Sequence, residues 1–339
     1  MSATEQMSQS APVRALGDRL LSWYAENKRD LPWRRTRDPY ALIAAEMMLQ
    51  QTGVERIAPK WEAFVRRFPT WEALASASLG EVIREWRGLG YNRRAVSLHR
   101  IARAVVERFG GRVPDDRRTL LELPGVGPYT ANAILSFVHE RDVPAIDVNL
   151  QRVIGRVVFG RGDAPMADVE RAAREALPAG RSSDWNQALM DFASLQCTLR
   201  RPACRLCPLG DVCAYVAVPD DDPLAERAPG AASAGGDPPV DGPPILYGRT
   251  AGPERQAARR AAERRAPYLA SRRYLRGRVV EAARRLARGA VLRLPEVRQI
   301  IAESQAPDET DADSLLAGLV RDGLLARRDD GDGTGYTLP

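Results

Sequence analysis

The chain has 339 residues, with 50 Lys+Arg against 44 Asp+Glu, a formal charge of +6, 44% hydrophobic and 6% aromatic residues. At roughly one domain per ~150 residues it is long enough for two, with a core built mainly from aliphatic side chains. No run approaches the ~20 apolar residues of a membrane helix, and Met1 to Pro12 lacks the apolar stretch of a signal peptide, so a secreted or membrane protein is not expected.

From about Leu16 to Tyr215, apolar stretches at helical spacing alternate with short breaks at proline and glycine. Pro39 precedes the Tyr40–Leu49 stretch, and further breaks fall at Gly80, Gly110–Gly111, Pro124–Gly127, Pro144 and Gly160. Leu79–Trp86 and Val96–Phe109 show the i, i+3, i+4, i+7 pattern of amphipathic helices. No period-two alternation is sustained, so this part reads as all-α.

Composition then changes. Asp221 to Thr250 holds six prolines and five glycines with few large apolar residues, which predicts a flexible linker. Glu254 to Arg288 follows with twelve arginines against three acidic residues, and Leu275, Val279, Ala282, Ala283 and Leu286 share one helical face. Helices fit Leu294–Glu303 and Asp311–Arg321. Leu324–Arg328 and Tyr336–Leu338 fit a hairpin around the Asp/Gly stretch between them. Three helices and a two-stranded wing resemble a winged-helix module. The expected domains are residues 10–216, an all-α body; 217–253, a linker; and 254–339, an Arg-rich module.

Cys197, Cys204, Cys207 and Cys213 are the only cysteines, spaced C-x6-C-x2-C-x5-C. Such clustering points to a metal site rather than disulfides. Four thiolates can hold a structural zinc or an iron–sulfur cluster. The loop also carries Arg200, Arg201 and Arg205, which suit phosphates. Elsewhere, Leu123-Pro-Gly-Val-Gly-Pro-Tyr-Thr130 joins two helical stretches, and a helix starting near Pro128 would aim its N–H groups at an anion. Asp147 follows some twenty residues later, as an N-cap before Asn149–Val157. His99 and His139 show no metal-ligand spacing and receive no role.

The 6-2-5 cysteine spacing resembles the [4Fe–4S] loop of the endonuclease III and adenine glycosylase superfamily. The Gly125/Gly127 hairpin followed by Asp147 resembles that superfamily's helix-hairpin-helix signature over roughly Leu16 to Tyr215. Glu46-Met-Met-Leu-Gln-Gln-Thr52 resembles the A/G-specific adenine glycosylases of the MutY type. So do Arg29-Asp-Leu-Pro-Trp-Arg34, Gly88-Leu-Gly-Tyr91 and Trp185-Asn-Gln187. The resemblance implies a helix-hairpin-helix fold, a [4Fe–4S] cofactor on the four cysteines, and Gly125 and Gly127 gripping a DNA backbone. It implies Glu46 as general acid, with Asp147, Asn149 and Tyr129 at the catalytic centre. Gln51 would wedge into the base stack with Tyr91 assisting. Arg34 and Gln187 would recognise the extruded adenine, and Arg29, Leu31 and Trp33 would form its pocket.

The chemistry accounts for these residue types. Adenine leaves readily only when protonated, for example at N7, and Glu46 among Ala44, Ala45, Met47 and Met48 suits a carboxyl kept protonated by burial. An ionised Asp147 would stabilise the oxocarbenium-like sugar left behind, the division of labour found in sugar hydrolases. The base must first be flipped out of the duplex.

Tyr129 stands where strand-nicking relatives carry a Schiff-base lysine. Lys28 and Lys60 are the only lysines and neither is on the hairpin, so a monofunctional enzyme is expected. Three departures from the family accompany it. Val148 separates Asp147 from Asn149 where a smaller residue is common. Gly53 follows Thr52 where a longer polar residue is usual. Nothing after the linker resembles the nudix-like domain that reads 8-oxoguanine. The tail's arginines read either as codon bias or as phosphate neutralisation.

The expected partner is double-stranded DNA with adenine opposite 8-oxoguanine or guanine, followed by enzymes that process abasic sites. The expected state is a cytoplasmic, nucleoid-associated monomer. Two alternatives remain open at this point: a T/G or U/G mismatch glycosylase of the same fold, and a non-catalytic DNA-binding protein. Glu46, Gln50-Gln51-Thr52 and Gln187 favour adenine.

Overall fold

A computed structural model describes residues 11–216, 271–287, 290–304, 311–331 and 333–339. The expected linker at 217–253 and the arginine-rich stretch through 270 lie outside the described residues. The chain divides into two units.

The first unit comprises the described residues of 11–42, 115–122 and 126–216. It contains α1 (Ala11–Asn27), a 3₁₀ turn (Pro32–Arg35), the start of α2 (Pro39–Leu49) and α7 (Arg117–Glu122). It continues through α8 (Pro128–Phe137), α9 (Val148–Phe159), α10 (Met166–Ala176), α11 (Ser182–Leu195) and a 3₁₀ turn (Cys204–Leu206). Leu16, Leu20, Leu150, Ile154, Trp185, Leu189 and Phe192 form its core. Trp185 donates its indole N–H to the Leu16 carbonyl at 2.7 Å, which fixes the register of α11 against α1. Local signals set the helix ends. Pro128 opens α8 behind Gly127, Asp147 caps α9, and Gly160 ends α9 at φ +70°. Val148 is the first residue of α9 and its side chain is exposed, so the departure there leaves the helix start undisturbed.

The second unit comprises residues 43–114, 123–125 and the described residues from 271 onward. Its helical part holds the rest of α2, α3 (Val54–Arg67), α4 (Trp71–Ser76), α5 (Leu79–Glu85) and α6 (Arg93–Phe109). Ser78 and Glu81 close a capping box on α5. Phe64 meets Phe68 and Trp86 edge-on, with centroids 5.1 and 5.8 Å apart.

The C-terminal part holds α12 (Arg272–Arg285), β1 (Leu292–Arg293), α13 (Leu294–Ala302), α14 (Ala312–Arg321), β2 (Ala326–Asp330) and β3 (Gly333–Thr337). This is the expected arrangement of helices and hairpin, with two differences. The strands run further into the Asp/Gly stretch, pairing out to Asp330 and Gly333. A third strand, β1, pairs antiparallel with β3 through Leu292 and Tyr336. At two residues β1 is too short to show alternation in sequence. Within this unit Arg284 donates to the Ile83 carbonyl and Arg87 pairs with Glu281 at 2.8 Å.

Candidate active site

The hairpin between α7 and α8 turns at Gly125, φ +81°, where an added Cβ would lie 2.7 Å from Ser97 Oγ. Only glycine fits there. Gly127 is at φ −97°, so its conformation is open to other residues. Tyr129, in the first turn of α8, is half-buried with its hydroxyl 3.9 Å from Met190 Sδ. Lys28 follows α1, and Lys60, on α3, lies within reach of a Cβ built on Gly88; neither is on the hairpin.

Asp147 caps α9 by accepting from the N–H groups of Asn149 at 2.8 Å and Leu150 at 2.9 Å. Asn149 Nδ2 donates to its second oxygen, and Arg152 donates to Asn149 Oδ1 at 2.9 Å. Arg152 also donates to the carbonyls of Cys197 and Ala193. Buried Asn186 on α11 accepts from Ala145 N–H at 2.8 Å and donates to the Val143 carbonyl at 3.0 Å. It therefore fixes the segment that leads into Asp147.

The Arg29–Arg34 segment converges on a residue the sequence reading missed. Asp191, on α11 and 0% exposed, accepts from Arg34 through both oxygens at 2.7 and 2.9 Å. It also accepts from the Arg29 backbone N–H at 3.0 Å and Arg29 Nε at 2.7 Å. Burial alone would push its carboxyl pKa up, but the hydrogen bonds and charges of Arg34 and Arg29 outweigh this and hold it below the usual carboxylate range. Gln187 lies one turn before Asp191 and accepts from the Tyr24 hydroxyl at 3.1 Å. Burial raises that tyrosine's pKa. Trp33 and Leu31 are buried. The first unit thus gathers Arg29, Arg34, Tyr24, Gln187 and Asp191 into one polar network. One signal for Asp191 was available, because it stands four residues after Gln187 on the same helix face.

In the second unit Glu46 is the only charged residue of α2, and it is 9% exposed. Its neighbours Ile43, Ala44, Ala45, Met47 and Met48 are each 1% exposed or less. A helix this apolar on every side is a core helix, and a lone carboxyl within it stands out.

The C-terminal end of α2 is tied to the Gly88–Tyr91 loop by Arg94, a second residue the sequence reading missed. Its guanidinium donates to the carbonyls of Met48 at 2.6 Å, Leu89 at 3.0 Å and Gln50, and to Thr52 Oγ1 at 2.9 Å. These satisfy carbonyls that the helix end leaves without intrahelical donors. Burial pushes the Arg94 pKa down to about 10. On either side of this brace, Gln51 and Tyr91 hold left-handed backbones at φ +60° and +43°. That conformation is costly for non-glycine residues and persists only where surroundings enforce it.

The four cysteines are half-buried and none is in a disulfide. Cys197, Cys207 and Cys213 pack against the core of the first unit. Burial pushes the Cys207 thiol up to about 11 and raises Cys213, with Cys197 and Cys204 adding to both shifts. Arg156 braces the loop through the carbonyls of Thr198 and Leu199 at 2.8 and 2.9 Å. Its own carbonyl accepts from Tyr215 N–H. Among the described residues no three His, Cys, Asp or Glu side chains are placed to hold a metal ion. No helix among the described residues is long and apolar enough to cross a membrane.

A family model described as HhH-GPD superfamily base excision DNA repair protein matches residues 44–179. An adenine DNA glycosylase of Mycobacterium tuberculosis is 34% identical over 329 residues, 96% of this chain and 94% of that protein. That match is long enough to run through the C-terminal module. A thymine-DNA glycosylase of Aeropyrum pernix is 37% identical over 211 residues, 60% of this chain and 95% of that one. The solved structure of a thermostable thymine-DNA glycosylase superposes with a TM-score of 0.58 at 30% identity, covering 64% of this chain and 99% of that one. With the hairpin, the capped aspartate and the buried glutamate in place, the chain belongs to the HhH-GPD superfamily of base excision DNA repair proteins and, within it, to the adenine DNA glycosylases.

Proposed function

We propose that the chain is a monofunctional glycosylase that removes adenine paired with 8-oxoguanine or guanine. The observation that carries this is Glu46, a lone buried carboxyl on an otherwise apolar helix. In the protonated form it gives its proton to adenine N7 as the C1′–N9 bond breaks, and the base departs with the bonding electrons. Asp147, ionised, stabilises the cationic sugar carbon. Water then adds at C1′, and the Glu46 carboxylate takes up the proton that water loses. Tyr129 and Asn149 serve at the same centre, Asn149 by holding the Asp147 carboxylate. Gly125 and Gly127 bind the DNA backbone.

Gln51 and Tyr91 act on the stack as the base is extruded, and the left-handed backbones of both support that role. Gln187 reads the adenine. Arg34 and Arg29 shape the pocket with Leu31 and Trp33 through their grip on Asp191. The absence of lysine from the hairpin supports an intact abasic strand as product, passed to separate abasic-site enzymes.

The test is base release from duplexes with A opposite 8-oxoguanine, A opposite G, and T or U opposite G, with and without alkali. Adenine release that becomes strand breaks only after alkali is the expected result, and Glu46→Gln should bind the duplex without releasing base. The likeness to the Aeropyrum pernix protein supports a second reading, T/G or U/G excision, which release from those duplexes alone would establish. Breaks without alkali would overturn the monofunctional assignment.

We infer that Cys197, Cys204, Cys207 and Cys213 hold a [4Fe–4S] cluster. Four half-buried thiols outside any disulfide, three of them packed against the core of the first unit and on a loop braced by Arg156, support that reading. When bound it cross-links the loop and shapes the surface carrying Arg200, Arg201 and Arg205. Iron and acid-labile sulfide near four each per chain would bear this out. Zinc without sulfide would replace it with the structural zinc reading.

A further inference from the structure

Side chains of helix α12 reach, within the second unit, Ile83 on α5 and the loop that follows it, at Arg87, Tyr91 and Asn92. Arg273, Arg276, Val280 and Arg284 follow one another at spacings of three and four residues, so they share one face of that helix. At its C-terminal end the Arg284 side chain is 7% exposed. It donates Nε to the Ile83 carbonyl at 3.0 Å and Nη2 to Asn92 Oδ1 at 2.8 Å. In the middle Arg276 pairs with Asp322, which also lies 3.8 Å from Arg93 Nε. At the N-terminal end the guanidinium carbon of Arg273 stands 4.0 Å from the centroid of the Tyr91 ring. Arg94 approaches the same ring at 5.3 Å.

Tyr91 therefore meets two guanidinium groups, one from the helical part and one from the C-terminal module. The two guanidinium groups repel each other, and the electron-rich face of an aromatic ring near both offsets part of that cost. The loop that carries the ring needs such a hold. Gly88 and Gly90 have φ +85° and +66°, and Tyr91 itself is at +43°, so its backbone has little preference of its own for this geometry. Arg284 fixes the base of the loop at Asn92, and Arg273 fixes the ring.

We propose that Arg273 is a positioning residue for Tyr91, so that the C-terminal module is a working part of DNA recognition at the Gly88–Tyr91 loop. This rests on the reading of Tyr91 as a residue that acts at the extruded base. On this account the module lends an arginine to the helical part of its own unit, and loss of that arginine acts through the tyrosine ring.

The experiment is a double-mutant cycle on the full chain with Arg273→Ala, Tyr91→Ala and the double variant, with Tyr91→Phe as a second probe that keeps the ring. One readout is the Kd for a duplex carrying a tetrahydrofuran abasic analogue opposite guanine, which requires no catalysis. The others are single-turnover adenine release and the melting temperature. Arg273→Ala should weaken analogue binding about fivefold, the scale of a cation–π contact, and slow release while leaving the melting temperature nearly unchanged. It should add nothing in the Tyr91→Ala background and keep its full effect in the Tyr91→Phe background.

Losses that multiply in the double variant, or a melting temperature that falls in step with binding, would overturn the proposal. Coupling in Kd without adenine release from wild type would leave the positioning role intact and remove the adenine reading. Adenine release with independent losses would do the reverse. Failure of wild type to bind the analogue duplex would remove both.

Discussion

Asn149 Nδ2 donates to Asp147 Oδ2 at 2.9 Å, while Asp147 Oδ1 accepts from the backbone N–H groups of Asn149 and Leu150. The aspartate assigned to the sugar cation is therefore also the N-cap of α9, and the cap holds it still. The two roles separate under Asp147→Asn. Asparagine caps a helix about as well as aspartate, so stability should change by less than about 1 kcal/mol. Adenine release should fall about 100-fold or more, the scale of losing one electrostatic stabiliser. Single-turnover release and thermal unfolding of the same variant check this. A large drop in stability would make the residue structural.

Asp191 is buried between Arg29 and Arg34, which keep 26% and 13% of their side-chain surface exposed. Replacing Asp191 with Asn leaves two guanidinium groups without their counter-ion and should cost about 3 kcal/mol at pH 7, the low end for breaking a buried pair. The folded carboxyl titrates below its usual range. Its stabilisation is thus fully present above the unfolded pKa near 4 and is lost as pH falls through the folded value. The gap between wild type and Asp191→Asn in urea unfolding should therefore shrink below about pH 4. A gap independent of pH would show that packing, not charge, sets the cost.

What could be read from the sequence and what could not divide along physical lines. The start of α8 at Pro128 and the cap at Asp147 follow from local rules acting over a few residues, and each lies where those rules put it. Asp191 and Arg94 are different. Each is a buried charge with partners distant in sequence, 162 residues for Asp191 with Arg29 and 44 for Arg94 with Gln50, although Arg94 also bonds the nearby Leu89 carbonyl. Periodicity reads such residues as errors in an apolar face, because only the folded chain supplies their hydrogen bonds. The Arg273–Tyr91 contact belongs to the same class.

Gly125 and Gly90 separate two demands on a glycine. Both have positive φ, +81° and +66°, but a Cβ at Gly125 would meet Ser97 Oγ at 2.7 Å while one at Gly90 meets nothing within 4 Å. Gly90→Ala should therefore cost only the left-handed backbone penalty, about 1–2 kcal/mol. Gly125→Ala adds an overlap with Ser97 and should cost more than about 3 kcal/mol. The pair is checked by chemical unfolding. Because Ser97 Cβ also lies 2.8 Å from that position, Ser97→Gly is the rescue: measured against Ser97→Gly alone, Gly125→Ala should then cost less, and an unchanged cost would place the strain elsewhere.

Arg94 tests whether the end of α2 and the Gly88–Tyr91 loop act together. Its guanidinium reaches carbonyls on both segments and the Thr52 hydroxyl at once, a task for five donors in a fixed fork. Lysine offers three donors on one nitrogen and cannot span them. Arg94→Lys keeps the charge but leaves at least one buried carbonyl without a donor, which should cost about 1–3 kcal/mol. The loss should appear locally first. Amide exchange should rise at residues 49–52 and 88–91 and stay unchanged in the first unit, with analogue binding weakened in parallel because Gln51 and Tyr91 lose their enforced backbones. Exchange that rises uniformly across both units would mean that Arg94 supports the fold as a whole rather than these two segments.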